Sequence, residues 1–417
     1  MGFNPVIPVG DLVEYSRGGG WGKETPFEGS SRVAIIRGAD FPSVAQGSYG
    51  GLPVRYEKDS KVNSVVLRAG DIVLENSGGT GSRPTGRTVF VTSELIDAYD
   101  CPVIPASFCR LLRFDSKSNS EFAYYWLQEM YSAGRTWGYQ NRSTGLSNFQ
   151  YKVFADSELL PDLPIEIQGK IASVLSALDR KIRENKRLND YLEQCMLARY
   201  DHLFGNKSAY DGTIADIGDV VGGATPSKKR PEYYCCDGIG WITPRDLSNT
   251  SDKFIAHGAD DITQAGFDSC SVKKLPAGTV LFSSRAPIGY VAIATDDITT
   301  NQGFKSVIPR TEIGTAFVYC FLVRNKDRIA EAGSGTTFPE VSGKTMANIK
   351  LTLPDVNLCA EFEEWATPLL KQQRCLEEES RQLGNLRNAL LPKLMSGEIN
   401  ISKVELPTQP NNHLCAG

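Results

Sequence analysis

Residues 164–202 read PIEIQGKIASVLSALDRKIRENKRLNDYLEQCMLARYDH. Ile171, Leu175, Leu178, Ile182, Asn185, Asn189, Leu192 and Met196 fall at alternating steps of four and three. This is the seam of one long amphipathic helix, with two polar positions at its centre. Arg180, Lys181, Arg183, Glu184, Lys186 and Arg187 cover the other faces. So long a seam needs a partner helix. Phe362, Leu369, Leu376, Leu383 and Leu390, spaced by heptads throughout, supply one, and Leu386 and Leu394 widen the stripe. Ordinary core helices of two domains would also be apolar on one face. The uninterrupted heptads and the charged flanks Glu377, Glu378, Glu379 and Arg381 favour pairing instead. The first helix is net basic over 179–187 and the second net acidic over 361–379, which favours their pairing with each other over self-pairing.

Outward from the helices, the chain repeats itself. VAIIRGAD (33–40) precedes LRAGDIVL (67–74), and GWITPRD (240–246) precedes LPAGTVLF (275–282) in the same order. Leu160-Pro161-Asp162 matches Leu353-Pro354-Asp355, and a heptad helix follows each. The expected class is α+β: two mixed globules separated by two long helices that form an antiparallel coiled coil. The boundaries are 1–160 for the first globule, 161–205 for the central helix, 206–357 for the second globule, 358–397 for the C-terminal helix and 398–417 for a polar tail. Short strands are expected at 65–66, 71–74, 88–92, 280–283 and 290–295, and helices at 121–131 and 315–325. Loops rich in Gly, Ser, Thr and Arg lie between them, most clearly 76–87 and 283–289.

Composition narrows the function. A chain of 417 residues with 41% apolar content builds two or more domains with real cores. The net charge of −4 carries no global nucleic-acid signal, although local basic patches remain open. No apolar run in residues 1–20 resembles a signal peptide, and no stretch approaches the roughly 20 apolar residues that span a bilayer. The ten cysteines include no CxxC, and the adjacent Cys235 and Cys236 are not a metal-ligand pair. Reduced thiols, a cytoplasmic location and no metal or cofactor are expected. Gly343-Lys344-Thr345 resembles the end of a phosphate loop, but Phe338 stands where the first glycine is required. No Asn/Asp-Pro-Pro-aromatic stretch and no Gly-x-Ser-x-Gly occurs, and His202, His257 and His413 are the only histidines. The expectation is a non-catalytic chain. A degenerate nucleotide-binding or methyl-transfer enzyme and a coiled-coil scaffold without a DNA role are the alternatives.

Gly223-Ala224-Thr225-Pro226-Ser227 followed by Trp241-Ile242-Thr243-Pro244-Arg245-Asp246-Leu247 resembles the opening of a target recognition domain in type I restriction-modification specificity subunits. Residues 163–171 with Leu178-Asp179-Arg180-Lys181-Ile182 resemble that family's helical spacer, and 390–399 (LLPKLMSGEI) its C-terminal end. The first globule departs, with Gly18-Gly19-Gly20-Trp21-Gly22 in place of the Gly-x-Thr-Pro-Ser start. Pro368 also departs, as either the first residue of a restarted helix capped by Thr367 or a kink.

The resemblance implies that each globule reads one half of a bipartite site in double-stranded DNA. It implies further that the helices act as a ruler, that two methyltransferase subunits dock on them, and that restriction-translocase subunits join that core.

Base edges are read by Arg, Lys, Asn, Gln, Ser and Thr on loops. In the first globule the candidates are Arg37, Asn76, Ser77, Ser82, Arg83, Thr85 and Arg87, with Arg135, Tyr139, Gln140, Asn141 and Arg142 as a second cluster. In the second they are Lys228, Lys229, Arg230, Thr243, Arg245, Ser283, Ser284, Arg285, Asn301, Gln302 and Lys305. Tyr49, Trp137 and Tyr234 are read as packing residues.

Overall fold

The heptad stretches are helical from Ile165 to Phe204 and from Val356 to Met395, 40 residues each. Pro164 stands just ahead of the first, where its missing N–H leaves no intrahelical bond unmade, and its carbonyl accepts Ile167 N–H at 2.8 Å. In this computed structural model the described residues are 6–143, 146–205, 210–250, 252–285, 287–333, 339–402 and 404, with the side chains of 142, 143 and 146 left aside. The chain divides into two units, 1–184 with 380–417 and 185–379, so each long helix contributes to both units.

In the first unit, a four-stranded antiparallel sheet runs in the order Val13–Gly18, Cys109–Phe114, Ile72–Glu75, Thr88–Phe90. Beside it, Ser30–Ile36 pairs antiparallel with Val54–Lys58 and parallel with Val103–Pro105. The helix Ser120–Ser132 begins where Asn119 Oδ1 accepts Phe122 N–H at 2.9 Å. Its Phe122 and Tyr125 pack with Ile171, Leu175, Leu391, Leu394 and Met395, all buried. Each such aliphatic side chain contributes about 1.5–3 kcal/mol on burial. Asp179 fastens the contact, accepting Tyr125 Oη–H at 2.7 Å and Arg387 Nη1–H at 2.5 Å.

The second unit repeats the plan. Its sheet runs Gly218–Gly222, Lys305–Pro309, Val280–Phe282, Val291–Ala294, and adds Phe254–Ile255 at the edge. Trp241–Ile242 pairs parallel with Thr299–Thr300, as Ser30–Ile36 does with Val103–Pro105. Met196, Leu197 and Tyr200 pack with Phe362, Ala366 and Leu370 and with the helix Thr315–Glu331. A polar network crosses this helix pair. Asn185 donates to Glu379 at 2.7 Å and buried Gln373 donates to the Asn189 carbonyl at 3.0 Å. The buried Lys253 ammonium donates to Glu193 and to Gln373 Oε1, and lies over the Tyr319 ring. Glu377 accepts the Lys253 and Phe254 backbone N–H groups, and burial pushes its carboxyl up to about 7. In both units contacts descend one helix as they climb the other, so the helices pair antiparallel.

Several expectations shift. Leu178, Ile182 and Leu192 are half-buried rather than fully so; Ala172, Leu197 and Tyr200 take the buried positions beside Ile171, Leu175 and Met196. On the second helix Phe362 and Leu376 are buried, but Leu370 and Leu391 replace half-buried Leu369 and Leu390, Leu383 is half-buried, and Leu386 is exposed. A straight α-helix drifts against a strict heptad, so the buried face moves off the predicted column. Pro368 does not restart the helix: Val356–Met395 is continuous, and the Thr367 hydroxyl donates back to the Glu363 carbonyl at 2.7 Å instead of capping. Val65 ends the helix Asp59–Val65 rather than opening a strand. Strand pairing matches Leu160 to Leu351, not to Leu353, since Ile7 faces Leu160 and Gly212 faces Leu351, and Val9 and Ile214 N–H groups donate to the Glu158 and Ile349 carbonyls. The phosphate-loop question at Phe338 and most of the expected tail, His413 included, lie outside the described residues.

Candidate nucleic-acid interface

Five chain segments converge at one end of each unit, and backbone pairing places them in register with one another. Asn76 N–H donates to the Phe108 carbonyl at 2.8 Å, as Ser284 N–H does to Gly303 at 2.7 Å. Ala106 N–H donates to Ile36, as Asn301 N–H does to Ile242. Phe149 N–H donates to Asn76, as Val341 N–H does to Ser284. Gly18 faces Arg110 as Gly222 faces Lys305, and the bridge Ser77–Asn148 corresponds to Arg285–Glu340. The glycines after these strands carry one constraint. A Cβ on Gly19 would lie 2.0 Å from the Pro105 carbonyl oxygen, and one on Gly223 2.1 Å from that of Thr300. Gly19 therefore does for the first unit what Gly223 does for the second, without a Thr-Pro-Ser sequence after it.

In the first unit much of the expected reading set is tied into structure. Glu75 ends a buried strand and is itself only 3% exposed. Arg87 grips it with Nε at 2.9 Å and Nη2 at 2.6 Å, and also donates to the Gly38 carbonyl at 2.7 Å. Arg83 stands 3.7 Å from the same carboxylate and donates to the Gly78 carbonyl. A buried carboxylate without such partners would cost several kcal/mol (roughly 3–5). Arg135 bridges Glu129 and Glu158 and lies over the Trp126 ring, Arg37 is paired twice to Asp40, and Thr85 is fully buried against Gln140. Arg87 and Thr85 thus brace the loops from within, while Arg135, 37% exposed, is held at the surface by its two carboxylates. Ser82 and Asn141 are exposed, Arg83 is partly so, and Ser77 Oγ donates to Asn148 Oδ1 at 2.5 Å. Asn76 Oδ1 is buried with no partner among the described residues. The Arg142 side chain lies outside them.

In the second unit, Ser283 and Ser284 are fully buried: Ser283 Oγ–H donates to the Pro287 carbonyl and Ser284 Oγ–H to that of Gly303. Thr243 caps the helix Pro244–Ser248, its hydroxyl donating to Asp246 at 2.6 Å. Asn301 Oδ1 accepts Gly303 N–H at 2.8 Å. These four hold the frame. Arg285 and Lys305 meet at Glu340, which is 40% exposed, at 3.3 and 3.5 Å. Burial draws the Lys305 ammonium pKa down, against the opposing pull of Glu340. Arg285 Nε–H is buried without a partner among the described residues. Gln302 is exposed and accepts the Thr225 hydroxyl, and Lys228, Lys229, Arg230 and Arg245 are exposed around this end or near it, Arg230 facing Glu232 at 3.2 Å.

Sequence reasoning missed Glu75 and Glu340, the carboxylates that arrange the cations, and Phe108. A glutamate closing an apolar strand with arginines downstream was the available signal for Glu75.

The family model described as "Type I restriction modification DNA specificity domain" matches residues 5–194 and again 209–358. The chain is 39% identical over 184 residues to the Type I restriction enzyme MjaIX specificity subunit of Methanocaldococcus jannaschii, covering 43% of this chain and 40% of that protein. It is 24% identical over 257 residues to the Type I restriction enzyme EcoR124I/EcoR124II specificity subunit of Escherichia coli, covering 58% of this chain and 61% of the other. The matches therefore span less than two thirds of these relatives. Among solved structures, the S subunit of a Type-I restriction-modification system from M. genitalium has a similar fold, with a TM-score of 0.57 at 15% identity, over 94% of this chain and 96% of that one.

Proposed function

The chain belongs to the type I restriction modification DNA specificity family, and from that premise we propose that it reads DNA sequence for a type I restriction-modification complex. Each globule contacts one half of a bipartite site in double-stranded DNA. The observation that carries this reading is the duplicated convergence of loops, with polar and cationic groups at the same register positions in both units. The buried Arg285 Nε–H and Asn76 Oδ1 add to it: the first is a donor that a base edge, phosphate or water satisfies, the second an acceptor for a base amino group or water.

The remaining assignments follow the same reading. Two methyltransferase subunits dock on the paired helices, where Leu188 and Tyr191 stand exposed one turn apart, and restriction-translocase subunits join that core. The chain itself catalyses nothing, takes no cofactor and works in the cytoplasm; among the described residues no helix is long and apolar enough to cross a membrane. The helices set the gap between half-sites, each being about 60 Å long at roughly 1.5 Å per residue. Residues 1–160 and 206–357 are the readers, and 161–205 and 358–397 the spacer.

The test is selection from randomised duplex DNA by the full chain co-expressed with its methyltransferase subunits, alongside mapping of methylated adenines in the host genome with and without this gene. The expected result is one two-part consensus with an unread gap, found by both methods. A pool that stays random, with an unchanged methylation map, sinks the reading.

A further inference from the structure

Phe108 is 58% exposed and joins no hydrophobic cluster among the described residues. A phenyl ring left in water forgoes the stabilisation that any packed position would give it. Its place is also rigid. The Phe108 carbonyl accepts both Asn76 N–H at 2.8 Å and Ser77 N–H at 3.1 Å, and Cys109 N–H closes the turn on the Ala106 carbonyl at 2.8 Å. Pro105 and Ala106 before it and Cys109 after it are buried, so the ring is held out from a fixed base. The Phe108 backbone adjoins Ser77, which bridges to Asn148 in the convergence described above.

The second unit shows that the frame does not need a ring there. Gly303 holds the register position of Phe108, and a Cβ on Gly303 would lie 2.8 Å from Pro244 Cγ and 2.9 Å from Asn301 Oδ1. One unit excludes any side chain at the point where the other projects a phenyl group into solvent.

We propose that Phe108 is a wedge that enters the base stack of the half-site read by the first globule, so that this half is recognised partly by the ease of unstacking one base step while the other half is read by polar contacts alone. The proposal rests on the DNA-reading function above. Apolar side chains inserted between base steps favour deformable steps and kink the duplex, which gives sequence preference without hydrogen bonds.

The experiment places 2-aminopurine at each position of the duplex selected by the full chain with its methyltransferase subunits. The wild type is expected to raise fluorescence at one step of one half-site. Phe108→Ala should abolish that rise and weaken binding roughly tenfold, as loss of an inserted or stacked ring does. Phe108→Leu, still an apolar wedge, should retain most of both. An Ala variant with unchanged fluorescence and affinity overturns the proposal, as does one that loses its methyltransferase subunits, because the ring would then serve a protein contact. Failure of the wild type to select any sequence would refute the DNA-reading function itself, and is distinguished from the wedge failing on a duplex that is bound.

Discussion

The two loop ends are built on one register and arrange their cations differently. In the first unit Arg87 and Arg83 converge on Glu75, which is buried, so the guanidinium groups hold the loop 76–87 to the sheet. In the second, Arg285 and Lys305 converge on Glu340, which is 40% exposed. A pair at the surface is worth little and exchanges readily for another anion, whereas a buried pair cannot be broken cheaply. Arginine thus acts as scaffold at one end of the repeat, and at the other Arg285, 41% exposed, is available for contact. What separates them is the burial of the carboxylate they share.

The largest effect that could break this contrast is on stability. Glu75→Gln turns an amide N–H toward the Arg87 guanidinium and should cost about 3 kcal/mol, as breaking a buried pair does. Glu340→Gln should cost at most about 1 kcal/mol. Urea denaturation of both variants checks the difference, and equal losses would erase the distinction between the two ends.

A second test concerns the polar network of the second unit. Glu377 is raised from 4.5 to about 7 by burial, so the native state keeps a proton that the unfolded chain has already released. Stability then falls as pH rises from about 4.5 to about 7, by on the order of 3 kcal/mol. Glu377→Gln should flatten that slope in thermal melts across this range. A slope unchanged by the substitution would assign it to other groups.

The smallest expected effect is on specificity. Arg285→Ala should relax base preference in one half-site, at the lower end of the roughly 1–3 kcal/mol of a base contact because Glu340 already competes for the side chain. Melting should be unaffected. A uniform loss at all sequences, with a shallower salt dependence, would make Arg285 a phosphate contact.

The helices and the repeat were legible because both are periodic: apolar spacing marks Ile171, Leu175 and Met196, and the AGD and AGT turns mark the two sheets. The buried column of the second helix was less so. Leu369 and Leu370 are both leucines, and only the twist of a real helix chooses between them. The glycine start of the first globule was hidden because the fold requires a missing Cβ at Gly19 and not the residues that follow it. Loop roles were the least legible. Arg135 is fixed by Glu158 and Thr85 by Gln140, partners distant in sequence, and no local pattern announces them.

If the paired helices set the gap between the half-sites, as proposed, lengthening both must lengthen that gap. The division between the units falls after Glu184 and after Glu379. Inserting one heptad at each of these points lengthens both helices by about 10 Å, or roughly three base pairs of DNA. The measurement is the methylation pattern on a plasmid library with randomised spacer length. The unread gap should grow by about three base pairs while both half-sequences stay as they were. An unchanged gap, or an altered half-sequence with the gap preserved, would contradict it.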